Sequence, residues 1–307
     1  MEDAVTTATG PTFEGQEIPF SEIAKTMVHV CQDAGAMRAL VATVVAVGSP
    51  ERLDPAAETL RLLGDAGTVR GILISEGTEA APTARVAGNA VALKGLKAQY
   101  VNNAVAALRL SSLPTLVWWR GGRPETLDEL ADLADRIVLD EDEPETIWRR
   151  AMTLFEDSAF SDLRWTGLTQ WRALMAHFFD IPEVRAAAGQ FKRLRISGSD
   201  PVSARLFAAW LTSSLSFGAG FAVEIVRSDR EPPIQAIELG DHDQELTLRL
   251  GAGRTCIETM ASVHGHRSAS RTVALVVRTP ADALTEELMI RARDLAFERT
   301  LQALVAD

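Results

Sequence analysis

The sequence is poor in cysteine, the residue that most often cross-links a chain or holds zinc. Its 307 residues contain two cysteines, Cys31 and Cys256, which lie far apart in the chain. This number excludes a disulfide framework and a cysteine-based zinc site. We therefore expect two reduced thiols in a reducing compartment. A redox pair would require the fold to bring their Cα atoms within about 7 Å.

Long apolar runs are absent as well. The longest, such as residues 39–47, are far shorter than the roughly 20 residues that a membrane-spanning helix needs. The polar, acidic N-terminus lacks the basic start and apolar stretch of a signal peptide. A net charge of −11 disfavours nucleic acids and anionic membranes as partners, because both are polyanions. These features predict a cytoplasmic protein.

Sequence motifs of familiar enzyme chemistry do not occur either. No predicted strand is followed by Gly-x-Gly-x-x-Gly or the Walker pattern, and no Gly-x-Ser-x-Gly elbow is present. His264 and His266 lie close together, but no third ligand adjoins them, and a metal site needs three or four. The acidic run Asp140–Glu143 is typical of a solvated linker. We therefore predict no catalytic residue, no metal and no cofactor.

Strands and helices alternate in the first half of the chain. Residues 1–18 are interpreted as a flexible tail and residues 19–143 as one domain. Apolar runs predict strands at 38–47, 69–75, 84–94, 115–119 and 136–139, and helical spacing lies at 21–33, 54–63, 97–110 and 126–134. This alternation predicts a layered α/β domain with a mainly parallel sheet.

The second half, residues 144–307, has a different order of predicted helices and strands. Helical patterns lie at 145–155, 169–179, 201–217 and 283–305, and strand patterns lie at 191–196, 221–227, 235–239, 245–250, 256–263 and 271–277. The acidic stretch with Pro144 suits a boundary between the halves. Consecutive strands with short connections predict an α+β domain with a mainly antiparallel sheet.

Tryptophan stands out, with six residues beside a single tyrosine. Trp118-Trp119 ends a predicted strand, on which adjacent side chains point to opposite faces. The rings either fill the seam between the two halves or form a partner surface, because Trp and Arg dominate binding hot spots. The two interpretations are compatible. The candidate partner-binding residues are Trp119, Arg120, Trp165, Trp171 and Arg172.

Two segments resemble the signatures of a known family. Residues 113–121, Leu-Pro-Thr-Leu-Val-Trp-Trp-Arg-Gly, resemble the strand motif of the glucose-6-phosphate dehydrogenase assembly proteins called OpcA. Residues 162–172, Asp-Leu-Arg-Trp-Thr-Gly-Leu-Thr-Gln-Trp-Arg, resemble their second signature, and Phe178-Phe179-Asp180 follows at the expected place. The chain departs from the family at residues 90–93, where the family usually has a more polar strand.

The resemblance implies a non-catalytic allosteric activator. Such a protein binds glucose-6-phosphate dehydrogenase, promotes its active oligomer, and serves the oxidative pentose phosphate pathway and NADPH supply. Photosynthetic relatives imply redox control through cysteines, a pattern that Cys31 and Cys256 do not reproduce. One alternative is a sugar-phosphate- or nucleotide-binding protein or enzyme with its site near Gly121-Gly122, where Arg120 and Arg123 would hold a phosphate. Another is a protein with a purely structural role.

Overall fold

The computed structural model describes residues 15–23, 25–26, 40–65, 69–77, 82–229, 232–241, 244–263, 266–267, 270–290 and 292–306. The chain forms two compact units. Unit 1 comprises the chain up to Leu163 together with Pro280–Arg293, and unit 2 comprises Arg164–Thr279 together with Asp294–Asp307. Over the described ranges, no helix has the length and apolar character needed to cross a bilayer.

Unit 1 is built on one eight-stranded sheet. Its strands are β1 Gln16–Ile18, β2 Ala42–Val47, β3 Val69–Glu76, β4 Thr83–Ala87, β5 Ala90–Leu96, β6 Thr115–Trp119, β7 Arg136–Leu139 and β8 Ala159–Asp162. Its helices are α1 Pro50–Asp65, α2 Ala98–Leu108, α3 Pro124–Ala131 and α4 Glu145–Met152, with α9 Pro280–Met289 returning from late in the chain.

The strand order of this sheet is β1-β4-β5-β3-β2-β6-β7-β8. The six strands from β5 to β8 in this order are parallel, and β4 and β1 pair antiparallel at one edge. Counted along the chain, the parallel strands stand in the order 3-2-1-4-5-6 of doubly wound sheets. The predicted α/β domain is confirmed, and the order reverses direction between β2 and β6.

Burial explains why the central strands are so apolar. Every residue of β2 and of β6 is buried, because a parallel sheet is covered by helices on both faces. On one face, Val44 and Trp118 share a core with Leu60 of α1 and with Leu284 of α9. The returning helix α9 is therefore an integral part of unit 1.

Unit 2 contains a second sheet with the strand order β10-β9-β11-β12-β13-β14, and β15 also pairs with β13. The strands are β9 Arg193–Gly198, β10 Ala222–Arg227, β11 Ala236–Gly240, β12 Glu245–Leu250, β13 Cys256–Val263, β14 His266–Arg267 and β15 Arg271–Ala274. The helices are α5 Leu163–Gly167, α6 Thr169–Phe178, α7 Pro182–Ala187, α8 Pro201–Ser214 and α10 Leu295–Ala306. Among the described strand pairs of this second sheet, only β9–β10 is parallel, which confirms the mainly antiparallel prediction.

Three predicted elements differ from the structure. The single strand predicted at 84–94 is the hairpin β4–β5, because Gly88-Asn89 forms a two-residue turn with Gly88 at φ 55°. The helix predicted at 283–305 is two helices, α9 and α10, which belong to different units. Within the predicted tail, residues 16–18 form β1, whereas residues 1–14 and most of the predicted helix 21–33 lie outside the described residues.

The division between the units also lies later than the expected boundary after residue 143. The first sheet continues through β8, which pairs with β7 and which the sequence patterns did not reveal. β8 has the sequence Ala-Phe-Ser-Asp, too short and too polar to stand out as a strand. The chain therefore passes into unit 2 only after Leu163.

A buried ion pair holds α9 to the sheet of unit 1. The Arg136 guanidinium on β7 donates to Glu287 Oε2 on α9 at 3.1 Å, and the two side chains are 4% and 2% exposed. The Ser161 hydroxyl on β8 donates to the other oxygen of Glu287 at 2.9 Å. Arg136 also donates to the carbonyl of Ala292 at 2.6 Å. A segment distant in sequence is thus attached through one fully partnered charge pair.

We expect Glu287→Gln to destabilise the protein by about 3–5 kcal/mol, because it leaves the Arg136 charge buried without its counter-ion. Chemical denaturation measures this loss. The control is Glu58→Gln, which breaks an exposed pair with Arg61 on α1 and should change the stability far less, because solvent screens that pair. Equal losses for the two variants would contradict the assigned role of Glu287.

Candidate functional site

A crevice of about 540 Å³ opens at the carboxyl edge of the parallel sheet in unit 1. It lies where the strand order reverses, between β2 and β6, which is where open α/β sheets bind ligands. Its walls come from Gly48–Pro50 and Arg52 after β2, Glu76 at the end of β3, Arg120–Arg123 after β6, and Glu141–Glu143 after β7. The structure therefore brings Gly121-Gly122 to the wall of a cleft, as the ligand-binding alternative expects.

Two buried indoles hold the acidic loop that follows β7. Trp118 and Trp119 are 1% and 0% exposed. Trp118 Nε1 donates to Asp140 Oδ2 at 3.1 Å, and Trp119 Nε1 donates to Glu141 Oε1 at 2.6 Å. The prediction of a solvated linker is wrong for these two acids, because the parallel strands β6 and β7 end side by side and place them against the indoles.

Arg120 lies at the centre of an ionic network beneath the crevice. Its Nε donates to Asp140 Oδ2 at 2.9 Å, and its guanidinium carbon lies 4.6 Å from the centroid of the Trp118 ring. A second hydrogen bond runs from Arg120 to the carbonyl of Arg52, and Arg52 in turn donates to Asp142 Oδ2 at 2.7 Å. Burial lowers the pKa of Arg120, and the charge of Asp140 opposes that shift.

The glycine pair after β6 makes room for a second ion pair. Gly121 and Gly122 have φ values of 122° and 155°, and a Cβ on Gly122 would lie 2.9 Å from both Glu76 Oε1 and the Trp119 ring. The backbone N–H of Arg123 donates to Glu76 Oε1 at 3.3 Å, and its side-chain Nε donates to Oε2 at 2.7 Å. Only a residue without a side chain fits at Gly122.

This geometry corrects the expectation that Arg120 and Arg123 hold a phosphate. Each guanidinium already has a carboxylate partner, Asp140 for Arg120 and Glu76 for Arg123. Four carboxylates and three guanidiniums line the crevice, so an incoming anion would have to displace internal partners of the same charge. The cleft is therefore not prepared for a phosphate group.

Glu141 carries a charge that burial disfavours. Burial raises the pKa of Glu141, and the hydrogen bond from Trp119 and the charge of Arg52 oppose the shift without cancelling it. Because the ionised form is disfavoured by burial, Glu141 lowers the stability of the folded state at neutral pH.

The second group of candidate residues lies in unit 2, around Trp165. This indole is 2% exposed, and its Nε1 donates to Asp294 Oδ2 at 2.7 Å. The other oxygen of Asp294 accepts the backbone N–H groups of Ala296 and Phe297 at the start of α10. The guanidinium of Arg172 lies 3.5 Å from the centroid of the Trp165 ring. Trp165 therefore links α5 to the first turn of α10.

The interpretation of the tryptophans as exposed partner anchors is not supported by their burial. Trp119, Trp165 and Trp171 are 0%, 2% and 5% exposed, so each ring is buried in the folded chain. Arg120 and Arg172 lie against indole rings rather than projecting freely. These five residues shape the loops and helix ends above them.

Sequence reasoning missed three residues of the crevice and its base, namely Arg52, Glu76 and Asp140. Each stands within a few residues of the end of a parallel strand, a position that exposes a side chain at the ligand edge. Of these three residues, Glu76 could most readily have been found from the sequence, because it is a charged residue at the end of an apolar strand.

The remaining cysteine and histidine expectations fall mostly on parts of the chain that are not described. Cys31 and His264 lie outside the described residues, and Cys256 is a half-buried free thiol at the start of β13. Among the residues that the structure describes, no group of His, Cys, Asp and Glu could hold a metal ion.

Comparison with known proteins identifies the second half of the chain. Residues 158–301 match a family described as the C-terminal domain of the glucose-6-phosphate dehydrogenase subunit. Two relatives are named OxPP cycle protein OpcA. This half of the chain resembles the OpcA family. The family match includes the Trp165 cluster, whereas the crevice of unit 1 lies outside it.

The two relatives come from cyanobacteria. The Nostoc punctiforme protein is 29% identical over 141 residues, which cover 43% of this chain and 29% of that protein. The Synechocystis protein is 29% identical over 127 residues, which cover 38% of this chain and 26% of that protein. The matches thus span less than a third of the length of either relative.

One solved structure is distantly similar. It is the crystal structure of aldose-aldose oxidoreductase from Caulobacter crescentus complexed with glycerol, with a TM-score of 0.36 and 11% identity. The alignment covers 87% of this chain and 96% of that one. A score this low supports no conclusion about the function of this protein.

We expect Glu141→Gln to keep the acceptor for Trp119 and to remove a buried charge. Since the folded-state pKa of Glu141 is raised, the folded protein binds more protons than the unfolded chain between the two pKa values, and wild-type stability falls as pH rises through that window. The stability advantage of the variant should therefore grow from pH 4 to pH 7, as measured by urea denaturation at each pH.

The control for this experiment is Glu58→Gln. The hydrogen bond from Arg61 lowers the pKa of Glu58. The stability difference between wild type and Glu58→Gln should therefore change with pH in the opposite direction. A difference between wild type and Glu141→Gln that does not change with pH would contradict the assignment.

We expect Trp165→Ala to destabilise the protein by about 3–5 kcal/mol, because the substitution empties a core position and removes the partner of Asp294. Thermal or chemical denaturation measures the loss. The control Tyr100→Ala, at a half-exposed aromatic residue of α2, should cost about 1 kcal/mol or less. An unchanged stability for Trp165→Ala would show that Trp165 is not a core residue and would restore the anchor interpretation.

Proposed function

We propose that this protein belongs to the OpcA family and is a non-catalytic protein that binds glucose-6-phosphate dehydrogenase in the cytoplasm, promotes its active oligomer and raises its activity. The observation that carries the proposal is the match of residues 158–301 to a family described by its place in a glucose-6-phosphate dehydrogenase subunit. The relatives named for the OxPP cycle support a place in the oxidative pentose phosphate pathway and hence a role in NADPH supply.

The proposed mechanism is a population shift in the dehydrogenase. A protein that binds one conformational or oligomeric state more tightly moves the equilibrium towards that state, by no more than its differential affinity for the two states. Couplings between binding sites are typically about 1–3 kcal/mol. A coupling of that size changes the population of the active form by roughly fivefold to 150-fold.

Trp119, Arg120, Trp165, Trp171 and Arg172 take part in docking indirectly in this proposal. Trp119 fixes the position of Glu141 in the loop after β7, and Trp165 fixes Asp294 at the start of α10. The partner would contact the loop and helix surfaces that these buried groups hold in place.

A second candidate function is the binding of a small molecule in unit 1. The observation that favours it is the crevice at the carboxyl edge between β2 and β6, because ligands of doubly wound sheets bind at that position. Ligand binding there is compatible with a regulatory role and does not require catalysis.

We expect the full chain, titrated into the dehydrogenase of the same organism, to raise its velocity or apparent substrate affinity and to shift its sedimentation towards a larger oligomer. Steady-state kinetics and analytical ultracentrifugation at matched concentrations check both effects. An unrelated acidic protein of similar size is the control. The absence of any change in velocity, substrate affinity and sedimentation would rule out the proposal.

A further inference from the structure

The crevice of unit 1 has the two halves of a ligand site, one for phosphate and one for hydroxyl groups. The hydroxyl half is accessible, whereas the phosphate half is occupied by the protein's own groups. In doubly wound sheets of this strand order, glycines after the first strand admit a pyrophosphate, and an acid near the end of the second strand binds ribose hydroxyls. Here Gly48 follows β2 and Glu76 ends β3, and both line the crevice. Different residues therefore form the phosphate half and the hydroxyl half of the site.

The phosphate half is filled by the protein's own groups. Pro50 stands at the first position of α1 and has no N–H to offer. The carboxylate of Glu51 accepts its own backbone N–H and the Ser49 hydroxyl, and these bonds lower the pKa of Glu51. Arg52 is turned towards the Asp142 carboxylate and the Asp140 carbonyl. A phosphate at this helix start would meet an ionised carboxylate.

The hydroxyl half remains open and ordered. The carboxylate of Glu76 is 11% exposed and is held by the backbone N–H and the side chain of Arg123. Gly121 and Gly122 contribute no side chains to the wall beside it. A fixed carboxylate next to a planar guanidinium offers acceptors and donors side by side, as two neighbouring hydroxyl groups require.

The charged groups that line the crevice favour a neutral ligand over an anionic one. Its lining carries four carboxylates against three guanidiniums, and the carboxylates of Asp140 and Glu51 stand on residues adjacent to that lining. An anion entering this site loses hydration without gaining an unpaired cation. A neutral polyol faces no such penalty, because its hydroxyls can bond to paired charges without separating them.

We propose that the crevice binds a neutral vicinal diol, the ribose of a nucleoside or a hexose, with Glu76 accepting from one hydroxyl and Arg123 donating to its neighbour. This site goes beyond the proposed action on the dehydrogenase. It assigns to unit 1 a binding site that selects against phosphorylated compounds.

The test uses the full chain without the dehydrogenase, so its failure leaves the dehydrogenase titration untouched. Isothermal titration calorimetry and thermal shift are run with adenosine, glucose, glucose 6-phosphate and inorganic phosphate at constant ionic strength. We expect adenosine or glucose to bind and to raise the melting temperature, and we expect glucose 6-phosphate and phosphate to bind more weakly than the neutral compounds. Which neutral compound binds distinguishes ribose from hexose as the source of the diol.

Two variants locate the binding in the crevice. Glu76→Gln should weaken the affinity for the neutral ligand by about tenfold or more, because a hydrogen bond to a charged acceptor is lost. Arg123→Ala removes a half-exposed side chain, so it tests the site by a second route if Glu76→Gln folds poorly. Glu58→Gln, on the exposed surface of α1, should leave the affinity unchanged.

Three results would overturn the proposal. The first is the absence of binding by both neutral compounds. The second is tighter binding by glucose 6-phosphate or phosphate than by the neutral compounds. The third is an affinity that is the same in wild type, Arg123→Ala and Glu58→Gln, since binding would then lie elsewhere on the surface.

Discussion

Hydrogen bonds from buried indoles to carboxylates are the interaction on which both units depend. In unit 1 they join Trp118 and Trp119 to the loop after β7, and Trp148 of α4 donates to Asp162 at 3.0 Å. In unit 2 the same pairing joins Trp165 to the start of α10. A buried indole needs an acceptor and a buried carboxylate needs donors, so each pair satisfies two groups that would otherwise destabilise the fold.

This pairing changes how the tryptophans contribute to function. A binding hot spot is a side chain that becomes buried only on association, whereas these rings are already buried. Their role is to fix loops and helix ends that would be mobile if held by weaker contacts. The acidic loop at the crevice and the start of α10 are positioned by these buried rings.

The crevice has the strand order of doubly wound sheets, but its side chains disfavour the phosphate-bearing ligands that such sheets commonly bind. The strand order reverses between the parallel strands β2 and β6 and leaves a cleft there, which follows from the topology alone. The side chains decide what the cleft can accept. Pro50 and Glu51 close the helix start to phosphate, and the Glu76–Arg123 pair leaves polar groups on the opposite wall.

Much of the fold could be predicted because it rests on local patterns. The apolar runs at β2 and β6 predicted strands, and β12 and β13 lie at their predicted residues. The predictions that failed, at the β4–β5 hairpin and at β8, also have local causes. The Gly88-Asn89 turn interrupts a run that otherwise alternates as one strand, and the polar strand β8 carries no hydrophobic signal.

The sequence by itself determined the two fold classes, most of the strands, and the resemblance to the OpcA family, since each depends on residues close together in the chain. Only the tertiary structure decided that the acidic loop meets the indoles, that α9 joins the first sheet through Arg136, and that Glu76 pairs with Arg123 at the wall of the crevice. These pairs join residues on separate strands and helices. Their distances are set by strand order and register, which a linear pattern of residues does not record.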